Sequence, residues 1–183
     1  LDSARRDIHR LESEETLLVL VQTLLQSLID KEVTYGVQAV ERLQTDGLRT
    51  VFGDQDLSVK SSVDVQRGKV SVELVTVQKL LGQEVEGVSG DAFGGAVTTV
   101  QSVLLRITMI LRRGLRPLMF LDETLPAFDH NYVVNMGAFL SALCSKLNMD
   151  ILLVTHNPAL VEAADHAYRL VRKNGSVKVE VTK

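Results

Sequence analysis

"LMFLDETLPAFDHNYVVNMGAFLSALCSKLNMDILLVTHNP", Leu118 to Pro158, decides how this chain folds. It opens on an apolar run, Leu118 to Leu121, that leads directly into Asp122 and Glu123. It closes on a second apolar run, Ile151 to Val154, followed by Thr155 and His156. Unbroken apolar runs of this kind suit parallel strands covered on both faces. The stretch between them, about Asn131 to Leu147, reads as a helix. A strand–helix–strand crossover returns the chain to the same edge of a sheet, so the carboxyl ends of the two strands are expected side by side. Ligands of open α/β sheets bind at such ends. Asp122, Glu123 and His156 are therefore expected at one site.

Neighbouring residues of an extended chain point in opposite directions, so the two carboxylates are expected to have different tasks. One can hold a metal, directly or through water, while the other faces a reacting group as base. A magnesium ion that keeps most of its waters and bridges phosphates needs few protein carboxylates. A glutamate within reach of a water can orient or deprotonate it for attack on phosphorus. His156 could hydrogen-bond the same phosphate. Taken singly, each segment also suits a plainer role: Asp-Glu opening a loop and capping a helix, and Thr-His-Asn-Pro making a turn. Their convergence beside a glycine-rich helix start favours chemistry.

Upstream lies that helix start, "GVSGDAFGGAV", Gly87 to Val97, leading into a helix expected from about Thr98 to Arg113. Before it, "LSVKSSVDVQ" alternates apolar and polar residues, with Leu57, Val59, Val63 and Val65 on one face. "KVSVELVTV" follows after a short Arg67-Gly68 link, so the pair reads as an antiparallel hairpin with one wet face. "GLRTVF", Gly47 to Phe52, is a plausible third strand. A short helix from Pro158 and a hairpin turning at Asn174-Gly175 end the chain. The first segment, about Ala4 to Leu43, has helical spacing. Leu11, Leu18 and Leu25 recur every seven residues with Glu14, Val21 and Leu28 as companions, the spacing of a coiled-coil seam or of an amphipathic helix packed on its own domain. The expected architecture is α/β: a mixed sheet with antiparallel hairpins and a parallel strand–helix–strand core. Residues 1–45 would form the leading helix and 46–183 the lobe.

Composition excludes some classes. An apolar fraction of 45% and a charged fraction of 23% are those of a globular protein. The net charge of −3 advertises neither nucleic acid nor membrane. Arg106, Arg112, Arg113 and Arg116 form one basic cluster, which suits a solvated helix end with cations near its C-terminal dipole. The single cysteine, Cys144, lies in a helical apolar pattern and reads as core; one cysteine allows no internal disulfide and suits a reducing compartment. No apolar run approaches the roughly 20 residues that span a bilayer. The opening on Leu1 inside a helical pattern suggests a fragment.

"RPLMFLDE" resembles the Walker B strand of ABC-type ATPases, which implies Asp122 as the magnesium-associated aspartate and Glu123 as the catalytic glutamate. "LPAFD" resembles the D-loop that follows, with Asp129 at its aspartate, though the usual serine is absent. "ILLVTHNP" is similar to the switch-histidine segment, with His156 in that role. Within that superfamily the leading helix, the hairpins and "HNPALVEAADHAYRL" most resemble the C-terminal lobe of SMC-like ATPases, among them the SbcC-type nuclease subunit and phage recombination ATPases. The resemblance implies ATP and magnesium as cofactors. It also implies a second ATPase head, DNA and a nuclease subunit as partners, and a cytoplasmic or, in a eukaryote, nuclear location. The signature loop, L-S-G-G-[EQ] in the family, is best matched by "FGGAV", with Gly94 and Gly95 facing the nucleotide of the opposing head. Its serine is missing or displaced to Ser89. Backbone N–H groups at a glycine-rich helix start can still supply hydrogen bonds to a phosphate.

No G-x-x-x-x-G-K-[ST] phosphate loop occurs; Gly68-Lys69-Val70 lacks the first glycine and the hydroxyl residue and sits in a hairpin. The resemblance therefore implies a Walker A lobe, on the same or a companion chain, as the partner that completes the pocket. A second reading is a non-catalytic, ATP-dependent dimerisation or assembly module with a degenerate signature loop. A third is an unrelated magnesium-dependent phosphohydrolase or nuclease built on Asp122, Glu123 and Asp129.

Overall fold

The computed structural model describes residues 2–66, 69–123, 128–173 and 175–183. The Arg67-Gly68 link, Asn174 of the last turn, and Leu125, Pro126 and Ala127 of the D-loop-like segment lie outside the described residues. The chain divides into two compact units, Leu1–Ala39 and Val40–Lys183.

From Asp2 on, the first unit is helical and belongs to α1 (Asp2–Val51). Its apolar side chains are exposed, among them Leu17, Leu18, Val21, Leu24, Leu25 and Leu28. At about 100° per residue, those between Leu17 and Ile29 spread over about three quarters of the helix circumference. That is wider than a two-stranded a/d seam.

The second unit holds the end of α1 and all the strands. β1 (Asp56–Gln66), β2 (Lys69–Leu80) and β3 (Gln83–Gly87) form an antiparallel sheet in that order. After the single turn α2 (Ser89–Ala92) comes α3 (Gly94–Arg112). β4 (Leu118–Asp122), α4 (His130–Leu147) and β5 (Asp150–Val154) make the expected crossover, with β4 and β5 parallel. α5 (Pro158–Ala163) precedes the antiparallel hairpin of β6 (Tyr168–Lys173) and β7 (Ser176–Val181). Parallel and antiparallel pairings thus occupy separate sheets among the described residues.

One core joins these elements: Leu48, Val51 and Phe52 from the end of α1, Leu57 and Val59 from β1, Val100, Leu104 and Ile107 from α3, Met119 and Leu121 from β4, Met136 from α4 and Leu160 from α5. α3 is long and apolar enough to cross a bilayer. It instead turns Val97, Val100, Val103, Leu104 and Ile107 inward, the stripe of a core helix. Cys144 packs half-buried against the same core, and burial pushes its thiol up from the ordinary value. The four arginines Arg106, Arg112, Arg113 and Arg116 are exposed, as a solvated helix end requires.

The segment read as a third strand is helix. "GLRTVF" is the last turn of α1, and the third strand is Gln83–Gly87. The apolar residues of that segment, Leu48, Val51 and Phe52, stand at i, i+3 and i+4, which is one helix face, and all are buried. Gly47 misled as a strand start. It is a helical glycine whose missing Cβ gives room to the Leu104 side chain. The hairpin also departs from one wet face. Leu57 and Val59 are buried, but the facing pair Val63 and Val72 toward its tip is exposed.

Candidate active site

Parallel pairing sets Asp122 opposite Val154, and the Glu123 amide donates to the Val154 carbonyl at 3.0 Å, extending the ladder one step beyond the strand. The two strand ends are therefore neighbours, as the crossover requires. His156 Nδ1 lies 3.6 Å from Glu123 Oε1 across that gap. Both side chains are open to solvent, so a bound molecule could reach both.

Glu123 departs from the extended geometry expected of it. Its φ is +41°, in the left-handed region that a residue with a Cβ enters at a cost of about 1 kcal/mol or more. The chain is extended through Asp122 and turns at Glu123, so local strain rather than strand alternation sets the glutamate's direction. Strain of this kind is a mark of functional positions.

His156 is held by the turn that follows it. Asn157 is the N-cap of α5, accepting from the Ala159 amide at 3.0 Å with Pro158 in the first turn. The Thr155 hydroxyl accepts from the Asn157 amide at 3.1 Å. Thr-His-Asn-Pro is thus a helix-opening turn, and that turn fixes His156 at the strand end.

Asp129 is exposed, and its carbonyl accepts the Val133 amide at 3.0 Å in the first turn of α4. Phe128 beside it stacks on Phe52, with ring centroids 6.1 Å apart and planes inclined by 10°. Tyr132 meets the same Phe52 edge-on at 4.9 Å. Its hydroxyl lies 3.0 and 2.8 Å from the two Asp54 carboxylate oxygens and 2.9 Å from the Gln55 amide that donates to it. The Gln55 donor lowers the phenol's pKa; the Asp54 hydrogen bond, burial, and the charges of Asp54 and Asp129 outweigh it and raise it. The sequence offered no sign of this cluster, whose partners lie 77 and 78 positions apart.

Gly94 and Gly95 open α3 and are exposed. Gly94 has φ +80°, and an added Cβ there would meet nothing within 4 Å, so the backbone alone demands glycine. The N-cap, Phe93, makes no side-chain hydrogen bond to the helix. The Thr98 and Thr99 hydroxyls donate back to the Gly94 and Gly95 carbonyls at 3.2 and 2.8 Å. Phe93 thus offers no side-chain cap to the first N–H groups of α3, and uncapped N–H groups at a helix start can receive an anion. Ser89 lies in α2 rather than at the start of α3.

For a divalent metal the donors at the strand ends are carboxylates, hard ligands that suit magnesium. Among the described residues no three His, Cys, Asp or Glu side chains gather as a metal cluster.

No protein-family model matches the chain. The thiamine import ATP-binding protein ThiQ of Haemophilus influenzae is 31% identical over 130 residues, which is 70% of this chain and 57% of that protein. The chain therefore spans little more than half the length of this relative. Among solved structures, a chain from work on ATP-driven dimerization and DNA-stimulated activation of SMC ATPases superposes with a TM-score of 0.62. It is 12% identical, over 84% of this chain and 89% of that one. The Smc head domain with coiled coil and joint from Pyrococcus yayanosii superposes at 0.72, 12% identical, over 96% of this chain and 32% of that one. The fold is that of an SMC-type ATPase head lobe.

Proposed function

We propose that this chain is the C-terminal lobe of an SMC-like ABC ATPase head that hydrolyses ATP together with a lobe bearing the Walker A loop. The observation that carries this reading is the Glu123–His156 pair at 3.6 Å on adjacent parallel strand ends. Glu123 orients and deprotonates the attacking water, and His156 hydrogen-bonds the γ-phosphate. Asp122 anchors magnesium, which when bound neutralises phosphate charge. Asp129 contacts the bound nucleotide from the start of α4. Gly94 and Gly95 offer backbone N–H groups to the nucleotide of a second head, so that paired heads sandwich ATP. The role is in DNA recombination, repair or the regulation of a nuclease, with DNA and a nuclease subunit as partners, in the cytoplasm or, in a eukaryote, the nucleus.

The uncovered side of β4–β5 supports a missing lobe. Phe120, Leu152 and Val154 point away from the core and are exposed, whereas parallel sheets are buried on both faces. An open apolar groove of about 740 Å3 along α3 reaches the same strand through Leu118 and Phe120. The Walker A lobe is the occupant this surface fits.

The test is reconstitution. The chain alone should neither bind nor turn over ATP appreciably, and the complete head should do both. Magnesium-dependent turnover by the isolated chain would reject the reading. The second reading, an assembly module that binds ATP only to dimerise, is favoured by one observation: the signature-like loop puts Phe93 at the N-cap of α3, with no side-chain hydrogen bond. A complete head that dimerises on ATP without hydrolysing it would select that reading.

A further inference from the structure

The aromatic cluster at the start of α4 lies outside the roles assigned so far, and its connections all lead one way. Phe52 and Asp54 follow directly on the end of α1. Phe52 is buried and receives Phe128 on its face and Tyr132 on its edge. Tyr132 reaches Asp54 through both carboxylate oxygens, and one turn on, the Asn135 amide donates to the Val51 carbonyl at 2.9 Å. That last bond occupies one of the carbonyls that a helix end leaves unpaired. Gln55, which donates to Tyr132, is itself bonded to Gln78 of β2. The end of α1 is thus fastened to the first turns of α4 by stacked rings and by bonds to a backbone carbonyl and a carboxylate. Asp129 stands between the two aromatic contacts, next to Phe128 and three residues before Tyr132.

We infer that Phe128 and Tyr132 are positioning residues for Asp129, clamping it to the end of α1 so that its placement at the nucleotide follows any displacement of that helix end. The inference rests on the proposed function for what Asp129 does, but the clamp itself belongs to this chain. Packed aromatic rings and a hydrogen-bonded carboxylate move together or come apart, so the contact transmits displacement rather than absorbing it. Tyr132 is the informative member. Its ring contributes packing and its hydroxyl only the link to Asp54 and Gln55, so Tyr132→Phe breaks the link and leaves the ring on Phe52.

The experiment has two arms. In the full chain, hydrogen exchange is measured for the amides from Asp129 to Asn135 in the wild type, Tyr132→Phe and Asp54→Asn. Both variants should speed exchange there several-fold, with exchange in β4 and β5 unchanged. Unchanged exchange in that segment, or an increase spread over the whole second unit, overturns the clamp. In the head completed with a Walker A lobe, Tyr132→Phe should lower kcat several-fold at constant KM for ATP. Combined with Asp129→Asn it should cost no more than Asp129→Asn alone, because the two act through one group. A double variant whose loss equals the product of the single losses also overturns it. If the complete head hydrolyses no ATP, the proposed function fails while the exchange arm still decides the clamp.

Discussion

Glu123 Oε1 and His156 Nδ1 stand 3.6 Å apart on the ends of two parallel strands, and the glutamate reaches that position through a left-handed backbone. If Glu123 is the base, Glu123→Gln in the complete head keeps the shape and hydrogen-bonding reach but removes proton acceptance. ATP should still bind, with turnover reduced about 10²- to 10⁴-fold, the usual contribution of a general base. Steady-state hydrolysis beside equilibrium nucleotide binding checks this, and wild-type turnover would reject the assignment.

The same backbone makes a prediction about stability. At φ +41° a glutamate is strained, while asparagine tolerates the left-handed region. Glu123→Asn should raise the stability of the isolated chain by about 0.5–1 kcal/mol while abolishing turnover in the head. Denaturant unfolding measures the first and hydrolysis the second. A destabilised variant would mean that the Glu123 carboxylate makes a structural contribution larger than the strain.

Strand–helix–strand chirality and apolar runs placed Asp122, Glu123 and His156 together because those rules act over short, contiguous segments. The end of α1 was misread because Gly47 to Phe52 is short enough to suit either period, and burial against Leu104 and Met136 decided for helix. The strain at Glu123 and the Phe52–Tyr132–Asp54 cluster were not legible. They depend on the backbone path and on partners far apart in the chain, which no local pattern encodes.

Gln44 offers a test inside the core. Its amide donates to the Gln101 carbonyl at 3.2 Å, Gln101 donates to the Thr76 hydroxyl at 2.9 Å, and Gln44 Oε1, fully buried, meets no donor among the described residues. Turning the amide over would set an oxygen against the Gln101 carbonyl, so the orientation is determined. Leaving an acceptor buried and unpaired costs about 1–3 kcal/mol, against about 1 kcal/mol gained from the one bond that is made. Gln44→Met, similar in length and free of both groups, should therefore stabilise the chain by about 1 kcal/mol. A drop in the unfolding midpoint would show that the bond to Gln101 outweighs the unpaired oxygen.

Cys144 reports on the packing of α4 through its chemistry. Burial first, then the negative charges of Asp165 and Asp150, raise its pKa above the ordinary 9.0. Because the thiolate is the reactive form, the folded chain should react with a thiol reagent at pH 8 well below the rate of the denatured chain. Its pH–rate curve should be displaced upward. The sign for stability follows: the neutral thiol is the form the fold favours, so this contribution is present below the unfolded pKa and is lost as pH rises through the folded value. Labelling at the denatured rate would show that α4 opens readily around Cys144.

The outer face of β4–β5 separates a role in assembly from one in folding. Phe120, 64% exposed, faces Leu152, 56% exposed, across the parallel ladder, so neither contributes much core to the isolated chain. Phe120→Thr with Leu152→Thr puts β-branched residues, which suit strands, at exposed positions where substitutions usually change stability by within about 0.5 kcal/mol each. The unfolding midpoint of the chain should therefore hardly move. A Walker A lobe that covers this face would lose two buried apolar side chains, each worth about 1.5–3 kcal/mol. Binding to that lobe, followed by titration calorimetry, should weaken by at least about 100-fold, since 1.4 kcal/mol corresponds to a factor of ten. Unaltered binding would place the partner lobe on some other surface and leave the exposed face of this parallel pair without the cover that its composition demands.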